Sequence, residues 1–130
     1  MAKAIHTMIR VRDEQRSLDF YRRALGLEIA QQVDFDSFRL IYLSNDETGF
    51  EIELTVNHGQ TEAYDLGNGY GHLAVSVADL DAEHARMVSE GLEPDPLKEL
   101  INGDFRGRYF FLTDPDGYRI EVLQRAGRFT

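Results

Sequence analysis

Four side chains of this chain match in type and in place. His6 opens the segment His-Thr-Met-Ile-Arg-Val, and His72 opens His-Leu-Ala-Val-Ser-Val. Glu53 lies in Gly49-Phe-Glu-Ile-Glu-Leu54, and Glu121 lies in Gly117-Tyr-Arg-Ile-Glu-Val122. Between them, Gly26-Leu27 answers Gly91-Leu92. The near-constant separation of the three pairs marks an internal duplication, so His6/Glu53 and His72/Glu121 occupy equivalent positions in two related halves. Two imidazoles and two carboxylates related by a pseudo-two-fold axis form a donor set for a divalent metal.

The elements that must carry these side chains follow from periodicity. In the first half, a strand spans Ile5–Val11, with Ile9 and Val11 on one face and His6, Met8 and Arg10 on the other. Asp13 N-caps a helix from about Glu14 to Leu25, with Leu18, Tyr21 and Leu25 as its apolar stripe and Gly26 ending it. Strands follow near Leu27–Val33, Phe38–Leu43 and Phe50–Val56. The second half repeats the plan. A strand spans His72–Val77, Asp79 caps a helix to about Glu90, and strands lie near Leu92–Leu97, Tyr109–Leu112 and Tyr118–Leu123. Asp114-Pro-Asp-Gly117 is a strong turn signature. The expected architecture is α+β: two βαβββ modules whose curved sheet has the helices outside and a polar concave face inside. The chain reads as a single domain over 1–130, with module one at about 1–57, a polar linker at about 57–70 and module two at about 71–130.

Parity decides which face carries the chemistry, because successive strand residues point to opposite sides. Phe50, Ile52, Leu54 and Val56 form an apolar set, leaving Glu51, Glu53, Thr55 and Asn57 opposite. Tyr118, Ile120 and Val122 leave Arg119 and Glu121 opposite; Leu73, Val75 and Val77 leave His72, Ala74 and Ser76 opposite. All four candidate ligands therefore fall on the face away from the helices. Polar strand faces are often simply solvated, but solvation does not account for His and Glu recurring at matching places in both halves. Enclosed carboxylates would be driven towards protonation unless a cation neutralised them. The other two histidines read as structural: His84 sits on the inner stripe of the second helix with Leu80, Met87 and Val88, and His58 lies in a loop.

Composition narrows the function classes. There is no cysteine, so disulfides and thiolate metal sites are excluded. A net charge of −9 opposes nucleic-acid binding, which needs a basic face, and also opposes anionic substrates at long range. No apolar run reaches the roughly 18 residues of a membrane span, and the N-terminus enters a strand at once without a secretory signal, so a cytoplasmic protein is expected.

The segments Ile5-His-Thr-Met-Ile-Arg-Val11, Ser17-Leu-Asp-Phe-Tyr21, Ile52-Glu-Leu-Thr-Val-Asn57, Gly69-Tyr-Gly-His-Leu-Ala-Val-Ser-Val77 and Asp114-Pro-Asp-Gly-Tyr-Arg-Ile-Glu-Val122 resemble the glyoxalase I (lactoylglutathione lyase) family of the vicinal oxygen chelate superfamily, in its short bacterial form. The resemblance runs over nearly the whole chain, and it implies that the two βαβββ modules form a partly open eight-stranded barrel around one metal, with the helices outside. It implies a lyase that converts the hemithioacetal of methylglyoxal and glutathione into S-lactoylglutathione by proton transfer through an enediolate. It implies metal ligands His6, Glu53, His72 and Glu121, with Glu121 as base and Glu53 assisting, and Arg10 and Asn57, beside His72, contacting substrate. One divalent metal per site is implied, Ni²⁺ or Co²⁺ favoured and Zn²⁺ possible, in a homodimer. The stretch Leu97–Arg108 departs from the family pattern; its Lys98, Arg106 and Arg108 are candidates for a second anchor or for selecting another thiol. The alternatives are an extradiol dioxygenase, against which the filled Glu53 position argues, an acyl-CoA epimerase, or a non-catalytic bleomycin-resistance-type binding protein.

Overall fold

The computed structural model describes residues 1–130 as two compact units, Met1–Asp65 and Leu66–Thr130, each built as strand, helix and three strands. The first unit comprises β1 (His6–Arg10), α1 (Glu14–Leu25), β2 (Glu28–Asp34), β3 (Phe38–Ser44) and β4 (Glu51–Asn57). The second comprises β5 (Leu73–Val77), α2 (Leu80–Ser89), β6 (Lys98–Asn102), β7 (Phe105–Thr113) and β8 (Arg119–Gln124). Each unit has one four-stranded mixed sheet, ordered β1-β4-β3-β2 and β5-β8-β7-β6. In both, the first strand returns parallel to the last, and the other pairs are antiparallel. No helix is long and apolar enough to cross a membrane.

Helix ends follow their capping residues. The Asp13 carboxylate accepts from Arg16 N–H and the Asp79 carboxylate from Ala82 N–H, each satisfying a first-turn donor that has no helical partner. Gly26 closes α1 at φ 64°, a left-handed conformation that glycine adopts without a Cβ penalty. The face of α1 differs from the expected stripe. Ser17, Phe20, Tyr21 and Ala24 are buried, whereas Leu18 and Leu25 sit at its margin. The helix is rotated so that small Ser17 and Ala24 join Phe20 and Tyr21 on its buried face. On α2, Leu80 and Met87 are fully buried, but Val88 is exposed. His84 is half-buried as expected of a boundary residue; its ring meets Phe110 edge-on at 4.9 Å, and its Nε2 lies 2.9 Å from the Asp95 carbonyl.

The strand expected at Leu92–Leu97 lies later, at Lys98–Asn102. Pro94 and Pro96 remove ladder donors, and Glu93 takes a positive φ of 55°, so 92–97 cannot pair as a regular strand. Only the Asp95 amide bonds towards the sheet, to the Phe111 carbonyl at 2.8 Å. The stretch 97–108 is thus largely a hairpin, β6 and β7 joined through Gly103-Asp104 with Gly103 at φ 59°.

Each helix is also clamped to its sheet by an arginine at an equivalent place. Arg39 of β3 reaches Glu14 of α1 at 2.9 Å, and Arg108 of β7 grips Asp81 of α2 with two bonds of 2.9 Å. The Arg108 hydrogen bond, then its charge, hold the Asp81 carboxyl below its ordinary range. A depressed carboxylate contributes stability that is complete above the unfolded-state pKa, about 3.9, and is lost as pH falls through the folded value. Arg108→Leu should therefore be less stable than the native chain at pH 6–7, with the difference shrinking below about pH 4. Urea titrations across that range check it; a difference independent of pH would mean that packing, not the ion pair, was lost.

Candidate metal centre

Register places the candidate ligands within each unit. In the first, β1 and β4 run parallel with His6 opposite Glu51 and Met8 opposite Glu53, while β3 places Tyr42 opposite Glu53. His6, Met8, Arg10, Glu51, Glu53, Thr55, Asn57 and Tyr42 accordingly share the face turned from α1. The His6 Nε2 lies 2.9 Å from a Glu53 carboxylate oxygen. In the second unit Ala74 and Phe111 flank Glu121 in register, and His72, one residue before β5, brings its Nε2 to 2.7 Å from Glu121. The structure thus pairs His6 with Glu53 and His72 with Glu121, on the face deduced from parity. In neither unit do three or more His, Asp or Glu side chains form a metal-sized group.

The carboxylates are the enclosed members of the pairs. The side chains of Glu53 and Glu121 are 12% and 18% exposed, against 35% and 38% for His6 and His72. A carboxylate removed from water this far requires a cation, a proton or hydrogen-bond donors. Tyr42 stands opposite Glu53, and burial, then the charge of Glu53, push the Tyr42 pKa up. The Tyr42 ring also meets the His6 ring edge-on at 5.9 Å. At the matching position Phe111 meets the His72 ring at 5.1 Å, with the Arg119 guanidinium 4.8 Å from its centroid. Arg119 is itself held by Asp95 at 2.6 Å and by the Thr113 hydroxyl at 2.8 Å.

The donor sets suit a hard or borderline divalent ion. Each pair offers one imidazole nitrogen and one carboxylate oxygen, without sulfur. Ligands at about 2.1 Å from an ion and at right angles to each other stand about 3 Å apart. The two His–Glu separations match that spacing, so each pair can serve as two neighbouring ligands with little rearrangement.

The remaining candidates separate by face. Arg10 lies on the ligand face, opposite Thr55 in register. Asn57 shares that face, and its Nδ2 donates to the Tyr64 hydroxyl at 3.0 Å. Lys98, opposite Tyr109, is on the ligand face of the second sheet, whereas Arg108, like Arg106 two residues before it, is on the helix side. Arg108 is committed to Asp81. His58 sits in the loop after β4, its Nδ1 3.2 Å from the Asp36 carbonyl. A cavity of about 510 Å³ opens on the helix side of the first unit, lined by Glu14, Leu18, Arg22, Ile29 and Arg39 among others, and holds none of the ligand candidates.

A sequence profile of the glyoxalase/bleomycin resistance protein/dioxygenase superfamily matches residues 3–122. The chain belongs to this superfamily. Among its members, a lactoylglutathione lyase of Neisseria meningitidis is 35% identical over 130 residues, covering 95% of this chain and 91% of that protein. A lactoylglutathione lyase of Salmonella typhimurium is 36% identical over 139 residues, covering 97% and 96%. A trypanothione-dependent glyoxalase I from Leishmania major superposes with a TM-score of 0.76 at 34% identity, over 95% of this chain and 87% of that one. The likeness to glyoxalase structures agrees with the duplicated βαβββ plan seen in each unit.

Removing each imidazole in turn tests the two histidines as ligands. His6→Ala and His72→Ala should each weaken Ni²⁺ or Co²⁺ binding by at least about 100-fold, the upper end of what loss of an outer-shell partner costs. Competition with a chromophoric chelator measures this. Unchanged affinity in either variant would remove that histidine from the metal centre.

Proposed function

We infer that this chain is a metal-dependent lactoylglutathione lyase, which converts the hemithioacetal of methylglyoxal and glutathione into S-lactoylglutathione. One observation carries the reading: a His–Glu pair of ligand spacing recurs at the same place in both units, in a chain whose relatives bear that activity in their names. His6, Glu53, His72 and Glu121 would together hold one divalent ion, with Ni²⁺ or Co²⁺ favoured over Zn²⁺ by the resemblance to the short bacterial glyoxalases. The two modules would complete a partly open barrel of eight strands, in a homodimer. We place the protein in the cytoplasm, in keeping with a cysteine-free chain.

When bound, the ion supplies Lewis-acid charge that stabilises the substrate oxygens as they become anionic. The chain's own residues move the proton. Glu121 takes it from C1 of the hemithioacetal, the C–H electron pair forming the enediolate, and returns it to C2 as the thioester carbonyl forms at C1. No oxidant is needed, because C1 is oxidised as C2 is reduced. Arg10, on the face of His6 and Glu53, is the cation that binds a glutathione carboxylate against the net charge of −9. Its planar fork suits a carboxylate better than a lysine ammonium would. Asn57, backed by Tyr64, supplies a neighbouring polar contact. Lys98, on the ligand face of the second sheet, supplies a second anchor, which Arg108 cannot while it holds Asp81.

The filled Glu53 position disfavours the dioxygenase reading, since O₂ chemistry needs that coordination site open. A non-catalytic binding protein would lack turnover altogether. Thioester formation from methylglyoxal and glutathione, followed by absorbance on apo protein reloaded with each metal, tests the function: Ni²⁺ or Co²⁺ should restore turnover, and absence of turnover with every metal would refute it. Glu121→Gln should lower kcat by at least about 10²-fold in metal-loaded protein. Near-normal turnover in that variant would remove Glu121 as base. Arg10→Ala should lower kcat/KM for the glutathione hemithioacetal by about 1.5–3 kcal/mol in transition-state terms, leaving metal content intact. Equal losses with an uncharged thiol would instead give Arg10 a structural role.

A further inference from the structure

The two histidines of the proposed centre are seated differently. His6 is the first residue of β1, paired opposite Glu51 in the ladder. His72 precedes β5 by one residue, so strand pairing does not set its backbone and its imidazole leans on side-chain contacts. Those contacts are Glu121 at 2.7 Å and the Phe111 ring, edge-on at 5.1 Å. The Phe111 ring is held in turn by the Arg119 guanidinium, 4.8 Å from its centroid and within cation–π reach. Arg119 is fixed on both arms of its fork: Nη1 donates to the Thr113 hydroxyl at 2.8 Å and Nη2 to the Asp95 carboxylate at 2.6 Å. Asp95 has little freedom of its own. It stands between Pro94 and Pro96, and Pro96 steers it away from helical backbone. Its amide donates to the Phe111 carbonyl at 2.8 Å, and its carbonyl lies 2.9 Å from His84 Nε2 of α2.

We propose that Arg119, locked by Asp95, is a positioning residue that keeps the Phe111 ring against His72 and so aims the imidazole of the second His–Glu pair. This rests on the metal centre and reaction inferred above, and it names residues outside the ligand set. In the first unit the place of Arg119, two residues before the glutamate, is taken by Glu51, which has no cation to lay on a ring. The latch thus belongs to the half whose histidine lies outside its strand, and it supplies the orientation that pairing gives His6. Arg119 and Asp95 are 41% and 44% exposed, so their ion pair adds little to stability and acts through orientation.

Ni²⁺ affinity, read by competition with a chromophoric chelator, tests this without recourse to turnover. Arg119→Met keeps the aliphatic stem and removes the fork; Asp95→Ala removes the carboxylate and keeps both backbone bonds. Each should bind Ni²⁺ about tenfold more weakly, the low end for loss of an outer partner, with a thermal melt close to native. The two losses should not add in the double variant, because both act through one guanidinium. Arg119→Met should cost about tenfold again on top of His6→Ala, and nothing further on top of His72→Ala, where no ring remains to be aimed. Native Ni²⁺ affinity in either single variant would overturn the proposal, including the case where only KM for the glutathione hemithioacetal rises and Arg119 is a substrate contact. An undiminished loss on top of His72→Ala would overturn it equally, as the mark of a general structural role. A native protein that binds Ni²⁺ but shows no lyase turnover would refute the reaction instead, and these affinities would still decide the latch.

Discussion

Alternation along the parallel strand pair of each sheet, an edge strand beside its inner neighbour, is the constraint that the rest of each unit obeys. Ile52 and Leu54 must meet α1, and Ile120 and Val122 must meet α2, so Glu53 and Glu121 between them are turned to the other face. Slipping the register by one residue would bury the carboxylates under the helix and expose the apolar set, which fixes the register strongly. The parallel return of the last strand beside the first then sets each histidine diagonally next to its glutamate. That adjacency requires the helix to cross from the first strand to the far edge of the sheet, which the βαβββ order provides.

Around this shared frame, the two copies keep what holds the fold and differ in residues beside the carboxylates. Arg39 on Glu14 and Arg108 on Asp81 clamp the helices in the same way. Asp13 and Asp79 cap them in the same way. The departures cluster near the carboxylates: Tyr42 against Phe111, and Glu51 against Arg119. An enclosed carboxylate is costly without a partner, so changing its neighbours alters how it is held without altering which atoms it offers.

Much of the fold was legible because local signals agreed with one another. The Asp caps, Gly26 and the apolar alternation located α1 to the residue and put the four candidate ligands on one face of their sheets. Periodicity failed where small residues carry the packing: Ser17 and Ala24, not Leu18 and Leu25, face the sheet. It failed again at 92–97, where apolar Leu92 and Leu97 suggested a strand that Pro94 and Pro96 prevent. Within the site, the histidines and glutamates stood out through the repeat. The place of Tyr42 opposite Glu53 did not, because it follows from cross-strand register, which one strand read alone does not carry. The commitment of Arg108 to Asp81 was equally hidden, since strand parity could be applied to it only once β6 and β7 were placed.

The central claim is that two His–Glu pairs hold one ion rather than two. Anomalous diffraction at the metal edge, from crystals grown with Ni²⁺, tests it directly. The account predicts one peak for each His6/Glu53 and His72/Glu121 set of four, with both Nε2 atoms and both carboxylates at about 2.1 Å. Separate peaks at each His–Glu pair, or a peak bound by other residues, would contradict it.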